Sequence, residues 1–460
     1  MEPAKHLPVY VLAYSGYDQM EYYMTSASNE TGNDKHKKNK IFYGWWVVSA
    51  GFSIQFLIGS LFIHSFTAYF PFLEREFGWS RTVLSGAFAF SRAESGLLGP
   101  LQGWLIEKFG TRSMAAIGML LFGLGFILFS KIDSIPGYYI AFFIMAAGSS
   151  IAGHLTVATA VINWFIRRRG IAIGIMSTGF GISGLIVPLI AWSLTSLGWR
   201  PTALYAGVLI IAIGVPISIL LRREPEKYGY LPDGDQPEKE KSSNNIEPNS
   251  QDASLSSFTA REAMLTRSFW FLSIGHALSL MTVGAVSLHL VPHIIDSLGL
   301  SVTTASSAVV IVTIFNIAGQ LSGGILGDKY SKRHLAAIGS CMHAVGLITL
   351  ASATSMTHVY IFAILHGFAW GLRGPLMSTI RADYFGRAYF PTIMGFSSLV
   401  VMLGMTFGPL FAGIMSDAFG NYKVGFNIIA ILAGLGSIFF ILSTPPKLPN
   451  RLSKIGASVR

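Results

Sequence analysis

Apolar and polar segments alternate regularly along this chain. A polar stretch of forty residues is followed by twelve apolar runs, each long enough to cross the roughly 30 Å hydrocarbon core of a bilayer as a helix. The pattern predicts an all-α membrane protein with twelve transmembrane helices. The predicted spans are 43–72, 80–106, 113–131, 136–162, 170–195, 199–221, 267–294, 301–327, 334–353, 357–380, 390–415 and 424–443.

A polar segment rich in Pro, Asp, Glu, Ser and Asn separates the first six runs from the last six. We therefore expect two pseudo-symmetric six-helix bundles with polar segments before, between and after them. The predicted divisions are an N-terminal tail at 1–40, a first bundle at 41–221, a linker at 222–266, a second bundle at 267–445 and a C-terminal tail at 446–460.

The two halves also share a repeated loop sequence. Its first copy contains Gly103, Glu107, Lys108 and Arg112, and its second copy, 221 positions later, contains Gly324, Asp328, Lys329 and Arg333. A parallel six-helix repeat is typical of membrane transporters, in which cargo binds near the midplane between the halves.

The composition excludes several other classes of protein. Only 12% of the 460 residues are charged, against about 25% in soluble domains. P-loop and zinc-protease motifs do not occur, and no GxGxxG sequence stands in a strand–helix setting, so we expect no enzyme activity and no cofactor. The formal charge of +10 lies in short clusters between apolar runs, whereas nucleic-acid binding needs a basic face on one folded surface.

Basic residues crowd the loops on one side of the predicted bundle. The positive-inside rule places this side in the cytoplasm, together with both termini. We expect a multi-pass protein of the plasma (inner) membrane, surrounded by the lipid bilayer. The basic residues of this side are Lys108, Arg112, Arg167, Arg168, Arg169, Arg222, Arg223, Lys329, Lys332, Arg333, Arg381, Arg387, Lys447, Arg451 and Lys454.

The repeated Gly-x-x-x-Asp/Glu-Lys-x-x-x-Arg loop resembles the signature of the major facilitator superfamily. Other segments resemble its oxalate/formate antiporter and monocarboxylate porter branch, over about residues 41 to 445. The resemblance implies the twelve-helix fold of that family and a small carboxylate cargo, moved by exchange or with a proton. The segments that carry it are Tyr43–Trp46, Phe77–Arg81, Glu224–Gly234 and Ala382–Arg387.

Three positions depart from that branch. The lysine that precedes Ser-x-Thr in the first span of monocarboxylate porters is His64 here, and the eighth-span arginine is Gln320. The eleventh-span lysine of the oxalate exchangers has no counterpart. We therefore expect a cargo site that differs from the usual one.

The repeated loop is a candidate gate. Glu107 and Asp328 place a carboxylate at a helix end, where the N-terminus of a neighbouring helix can accept negative charge. Gly103 and Gly324 allow helices to approach closely. Together with the resemblance, these features predict contacts that hold one access state closed. The alternative is a charge cluster that only sets the membrane topology.

Ionisable residues inside the predicted spans are the candidates for cargo binding, because such groups are costly in lipid. At about 100° per residue, Arg92 shares a helix face with the glycines of the second span, which we expect to face the other half. Glu94 points the opposite way, with Leu97 and Leu101. We expect Glu94 to pair inside the first bundle, with proton carriage as the alternative. The glycines of the Arg92 face are Gly96, Gly99 and Gly103.

Arg373, in the tenth span, offers a planar guanidinium that can bind a carboxylate. His366 lies two turns earlier on the same face. The alternative for Arg373 is a salt bridge to Glu94 or a bond to a helix-end carbonyl. Arg92, Glu94 and Arg373 leave one net positive charge, which an anionic cargo would neutralise.

The 221-position offset carries the Arg92 face onto a polar face of the eighth span. Its members are candidate cargo contacts, and interhelical hydrogen bonding is the alternative. The residues of this face are Thr313, Asn316, Gln320 and Gly324.

Histidines are the candidates for proton coupling, since they titrate near neutral pH. His64 is the leading one, and packing is its alternative role. Packing is also what we expect of three other histidines in the spans: His154, His276 and His343. His289 and His293 have the spacing of a metal pair but lack a carboxylate or cysteine partner, so we predict no metal site.

These features predict a secondary transporter of a small organic anion, in particular a monocarboxylate. It would work by alternating access with proton symport or anion exchange. One alternative is an exporter of amphipathic or drug-like compounds, although such cargo has little need of two buried arginines. A sensor with the same fold and no transport activity is another.

Overall fold

The computed structural model describes residues 41–80, 83, 84, 86, 87, 96–235 and 257–449. These residues form two halves of six long helices each. The first half contains α1 (Gly44–Phe77), α2 (Gly99–Phe109), α3 (Thr111–Phe129), α4 (Ile135–Trp164), α5 (Arg169–Ser196) and α6 (Trp199–Ser218). The second half contains α7 (Arg267–Leu298), α8 (Val302–Lys329), α9 (Lys332–Ala351), α10 (Met356–Phe385), α11 (Phe390–Phe419) and α12 (Lys423–Leu442).

Ten of these helices are long and apolar enough to cross a membrane by length and composition. The other two are α10, with 30 residues, and α2, of which the continuous described part has 11 residues. The predicted all-α membrane architecture with two six-helix halves is confirmed. The helix ends lie within about five residues of the predicted spans, except that the start of the second span falls among residues outside the described ranges.

One prediction at the end of α10 was wrong. Arg381, expected in a basic loop, lies inside α10 and is only 1% exposed. Its guanidinium donates to the Met377 carbonyl at 2.7 Å and to the Ser397 hydroxyl at 2.8 Å. Because these acceptors satisfy the charged group, the helix continues past the point where the apolar run ends.

Several helices of the first half are interrupted. In α1 the backbone passes through a π-helical turn at Gly59–Ile63 and a 3₁₀ turn at Phe66–Tyr69. In α5 a 3₁₀ turn occupies Ser183–Ile186, and α4 has an extended residue at Gly153. The π-helical turn of α1 contacts the 3₁₀ turn of α5, since the Ser60 hydroxyl donates to the Ser183 carbonyl at 3.2 Å. Such breaks in transporter helices commonly line the cargo site.

The halves contact each other through α5 with α8 and through α2 with α11. Both contacts depend on glycine. A methyl group on Gly324 would stand 2.6 Å from the Gly170 carbonyl oxygen, and one on Gly103 would stand 2.5 Å from the Pro391 carbonyl oxygen. Small residues therefore bring the backbones of the two halves together, as is usual where helices pack in lipid.

Candidate functional site

The first candidate site is the contact between halves at the end of the bundle that carries Glu107 and Asp328, here called the motif end. Asp328, near the end of α8, accepts hydrogen bonds from the backbone nitrogens of Gly170 at 2.6 Å and Ile171 at 2.9 Å. These two residues open α5 of the other half. A carboxylate at a helix N-terminus satisfies free N–H groups and is stabilised by the helix dipole.

Glu107 makes the repeat-related contact in the first half. Its carboxylate, near the end of α2, accepts a hydrogen bond from the backbone nitrogen of Thr392 at 3.1 Å, in the first turn of α11. The motif end is therefore closed by two crossed contacts, each joining a carboxylate of one half to a helix start of the other.

Ion pairs also hold the motif end closed, and the pairs that the structure describes there do not include the basic residues of the repeated loop. Asp383, at the end of α10, pairs with Arg169 at 2.6 Å across the halves and with Lys332 at 2.7 Å within its own half. Arg387 pairs with Glu226, and its guanidinium donates to the Asn163 carbonyl at 3.1 Å. These partners follow from three-dimensional packing, and no sequence periodicity connects them.

The four basic residues predicted as part of the gate lie apart from these pairs. Lys108 lies over the Trp104 ring, 4.8 Å from its centroid. Arg112 and Lys329 are exposed and Arg333 is partly exposed. None of the four forms a salt bridge with another residue that the structure describes.

The second candidate site surrounds Arg373, in the middle of α10. The side chain is 1% exposed, and its Nη1 atom has no hydrogen-bond partner among the described residues. No described carboxylate or helix-end carbonyl pairs with it. A buried guanidinium with an unpaired N–H group is a strong binding group for an anion, because leaving it unpaired is unfavourable.

Polar side chains of α8 lie at the same level as Arg373. Gly371 of α10 packs directly against the Asn316 carbonyl of α8. The Gln320 amide nitrogen donates to the Asn316 side-chain oxygen at 2.8 Å, and both residues are buried. Asn316 Nδ2 and Gln320 Oε1 have no further partner in the described part of the chain. The Thr313 hydroxyl, by contrast, donates a hydrogen bond to the Val309 carbonyl.

His366 lies on α10 beside Trp370, with ring centroids 6.4 Å apart. Its Nδ1 atom is 3.1 Å from Nδ1 of His343 on α9. Arg373 and His366 thus lie on α10, which packs against the segment of α8 that carries Asn316 and Gln320, and His343 of α9 contacts His366.

His64 lies on the other half, at the interruption of α1. It is exposed, and its ring centroid is 5.2 Å from that of Phe180 on α5. The neighbouring Gly181 faces α8, since a methyl group there would stand 3.6 Å from the Gln320 amide nitrogen. His64 is therefore separated from the polar face of α8 by a single helix.

Arg92 and Glu94 lie outside the described residues. The glycines predicted to share the Arg92 face do face the other half, with Gly96 against Met402 and Gly99 against Gly395. The opposite face was expected to lie inside the first bundle. At Leu97 and Leu101 it is exposed instead, by 72% and 49%, because α2 packs on α11 through its glycines and turns these leucines outward.

Sequence reasoning underestimated the histidines. His154, expected to pack, bridges the halves: its Nε2 atom is 3.2 Å from the Ser378 hydroxyl of α10, and its Nδ1 atom is 3.4 Å from the Gln55 amide nitrogen. His289 and His293 are bonded to the Pro409 and Leu350 carbonyls. Among the residues that the structure describes, no cluster has the composition of a metal site.

The two halves pack through glycines, and a carboxylate of each half contacts a helix start of the other. Polar side chains are buried in the middle of the long helices. Together these features define the class of membrane transporters with an internal repeat. The family model for the Major Facilitator Superfamily matches residues 47–274 and 272–459, and the chain belongs to this superfamily. Its relatives and its helices identify it as a multi-pass transporter and not an enzyme.

In sequence the chain is similar to transporters named for carboxylates. It is 26% identical to monocarboxylate transporter 13 of Bos taurus, over 89% of this chain and 93% of that protein. It is 25% identical to the oxalate:formate antiporter of Oxalobacter formigenes, over 83% of this chain and 86% of that protein. The solved structure of the transporter FucP in the outward conformation has a similar fold, with a TM-score of 0.68 over 88% of this chain and 100% of that one, at 15% identity.

Proposed function

We propose that this protein transports a small organic anion, in particular a monocarboxylate, across the plasma (inner) membrane by alternating access. The observation that carries the proposal is the buried Nη1 atom of Arg373, which has no partner among the described residues and lies on the helix that packs against the segment of Asn316 and Gln320. A carboxylate supplies the charge and the acceptor atoms that this site lacks. The sequence relatives named for monocarboxylates and for oxalate and formate support the same class of cargo.

The closed motif end defines the state of the transport cycle. We infer that this end faces the cytoplasm, since the basic loops lie here and such loops favour the cytoplasmic side. The contacts of Asp328 and Glu107 then close the cytoplasmic side. Breaking them, with closure at the other end, delivers the cargo. Proton symport or anion exchange drives the cycle.

Purified protein in liposomes tests this function. Labelled lactate, pyruvate, formate, oxalate and longer acids are screened for uptake under a pH gradient and for exchange against the same acid inside. We expect at least one carboxylate to be transported. A folded protein that moves none of them would refute the proposal, and transport of amphipathic compounds instead would favour the exporter.

The role of Arg373 is tested with matched arginine variants. R373Q should lower transport at least about thirtyfold, because truncating one partner of a buried charge pair loses roughly 2–5 kcal/mol. R373K should retain part of the activity, since it keeps the charge but not the planar fork. R261Q, which changes an exposed arginine of the short helix Ala260–Met264, is the control and should transport normally. Normal transport by R373Q would remove Arg373 from the site.

A further inference from the structure

Three histidines lie on neighbouring helices of the half that contains Arg373. His276 is on α7, His343 on α9 and His366 on α10, and His366 shares a face of α10 with Arg373, two turns away. Their helices meet at one level: the Ser279 hydroxyl of α7 is 2.5 Å from the Ser340 hydroxyl of α9, one turn from His276 and His343. The cluster is therefore a single polar site and not three separate packing residues.

Two of these histidines share one hydrogen bond. Nδ1 of His343 and Nδ1 of His366 are 3.1 Å apart, and both side chains are buried, with exposures of 0% and 1%. One Nδ1 must donate and the other must accept. In the neutral pair the accepting ring carries its proton on Nε2. A further proton converts one ring to an imidazolium beside the Arg373 guanidinium.

Among the residues that the structure describes, the surroundings contain no negative charge that would balance this extra proton. The groups that face the cluster are His276 from α7, the Asn316 and Gln320 amides from α8, Arg381 from α10 and His154 from α4. From α11, the Ser397 hydroxyl accepts a hydrogen bond from Arg381. None of these described groups is a carboxylate. These described groups therefore favour a neutral histidine pair, because an imidazolium and the Arg373 guanidinium, both buried, would repel each other.

An anion at Arg373 changes this balance. Arg373 Nη1, His343 Nε2 and Asn316 Nδ2 are all buried and lack partners among the described residues. A carboxylate that accepts from them introduces one negative charge next to the histidine pair. This negative charge raises the affinity of the pair for a proton. By linkage, protonation of the pair raises the affinity of the site for the carboxylate by the same factor.

We propose that the His343–His366 pair is the proton-binding site of this transporter and that it is loaded together with a carboxylate at Arg373. The inference depends on the proposed function and assigns its coupling ion to residues other than His64 and Glu94. One proton and one anion enter from the outer side, the proton resting on an imidazole nitrogen and the carboxylate remaining ionised. Both leave on the other side, so the pair returns to its neutral form and no net charge is moved by the cargo and proton together.

The test compares accumulation with exchange in the same liposomes. Labelled lactate, pyruvate, formate and oxalate are each tested with the lumen more alkaline than the medium, and then at equal pH with unlabelled acid inside. One-to-one symport of a monocarboxylate allows about tenfold accumulation per unit of pH difference. H343N and H366N should each lose accumulation, which falls to a ratio of about one, whatever fraction of the wild-type exchange rate at equal pH each variant keeps. H289Q, which changes a partly buried histidine of α7 bonded to Tyr422, should accumulate as the wild type does.

The outcomes separate this inference from the proposed function. If the wild type exchanges carboxylates but never concentrates them with the pH gradient, the inference fails and the proposed function stands. If it moves no carboxylate, both fail. Accumulation that persists in both H343N and H366N overturns the inference alone.

A measurement on the wild type avoids any dependence on variants that fold poorly. Calorimetric titration with the same acids, in two buffers of different ionisation enthalpy, counts protons taken up on binding. We expect close to one proton per anion. Binding without proton uptake between pH 5 and pH 8, where an ordinary histidine titrates, would overturn the proposal.

Discussion

Pro391 occupies in the second half the position that Gly170 occupies in the first, 221 positions earlier. Gly170 donates its backbone N–H to Asp328 at 2.6 Å. Proline has no N–H, so Glu107, the repeat-related partner of Asp328, makes one backbone hydrogen bond, to Thr392 at 3.1 Å, where Asp328 makes two. The two contacts that close the motif end are therefore unequal in strength.

This asymmetry predicts a larger effect for D328N than for E107Q. Each hydrogen bond to a charged group contributes about 1.5–3 kcal/mol, and 1.4 kcal/mol changes an equilibrium about tenfold. Both variants should populate states in which the motif end is open, and D328N should do so at least several-fold more.

Alkylation at the interface between the halves measures this opening. Ser378 is 1% exposed and bonded to His154 across the halves, so a thiol introduced by S378C reports separation. The native thiol of Cys341 is exposed and is removed with C341S. The labelling rate should rise most in D328N, less in E107Q and not in K329Q, whose lysine is exposed. Equal rates in D328N and E107Q would contradict the ranking.

Close backbone contact between α5 and α8 gives a second prediction. A methyl group on Gly174 would stand 2.7 Å from the Gln320 carbonyl oxygen, whereas one on Gly184 of the same helix would meet nothing within 4 Å. G174A should therefore separate the halves, at a cost of about 1–3 kcal/mol to the closed state, and G184A should not.

The two alanine variants are compared by melting temperature and by the S378C labelling rate. G174A should label faster than the parent protein and melt at a lower temperature, while G184A should match the parent in both. Both changes place the same side chain in α5, at Gly174 in its α-helical part and at Gly184 in its 3₁₀ turn. Faster labelling of G174A, with the S378C thiol as the reporter of separation, is therefore the sign of a lost contact with α8. Equal behaviour would mean that the backbone of α8 moves without penalty.

The sequence predicted the architecture well because lipid imposes it. Runs of apolar residues must form helices to satisfy their backbone groups, and the 221-position repeat marks both halves. The same offset located the polar face of α8, and Asn316 and Gln320 are indeed buried side by side. Helical periodicity is a property of one segment, so it identifies which residues share a face.

Helical periodicity does not identify the residues of a neighbouring helix that pack against a given face. The pair of His343 and His366 joins two helices that are antiparallel neighbours, and their spacing of 23 positions reflects a loop length and not a repeat. The sequence consequently assigned His343 to packing. In the same way, the apolar run of the tenth span ends before Arg381, whose acceptors on α10 and α11 become visible only in three dimensions.

The pairing of Arg387 with Glu226 leads to a final prediction about the segment after α6. Glu226 lies in a short 3₁₀ turn at Glu226–Tyr228, and Arg387 lies between α10 and α11 of the second half. Their side chains are 15% and 21% exposed, and Arg387 also donates to the Asn163 carbonyl of α4. The segment after α6 should therefore hold the motif end closed.

A double-mutant cycle with E226Q, R387Q and the combined variant measures this contribution. Partners in one ion-pair network typically show coupling of about 0.5–3 kcal/mol, and this partly buried pair should lie in that range when the S378C labelling rate is the readout. Arg167 and Asp235, at 57% and 50% exposure, form a matched surface pair. R167Q and D235N should show weaker coupling, because water and salt screen exposed charges. If the exposed pair couples as strongly as Glu226 with Arg387, closure depends on the overall charge of the motif end and not on the contact between these two side chains.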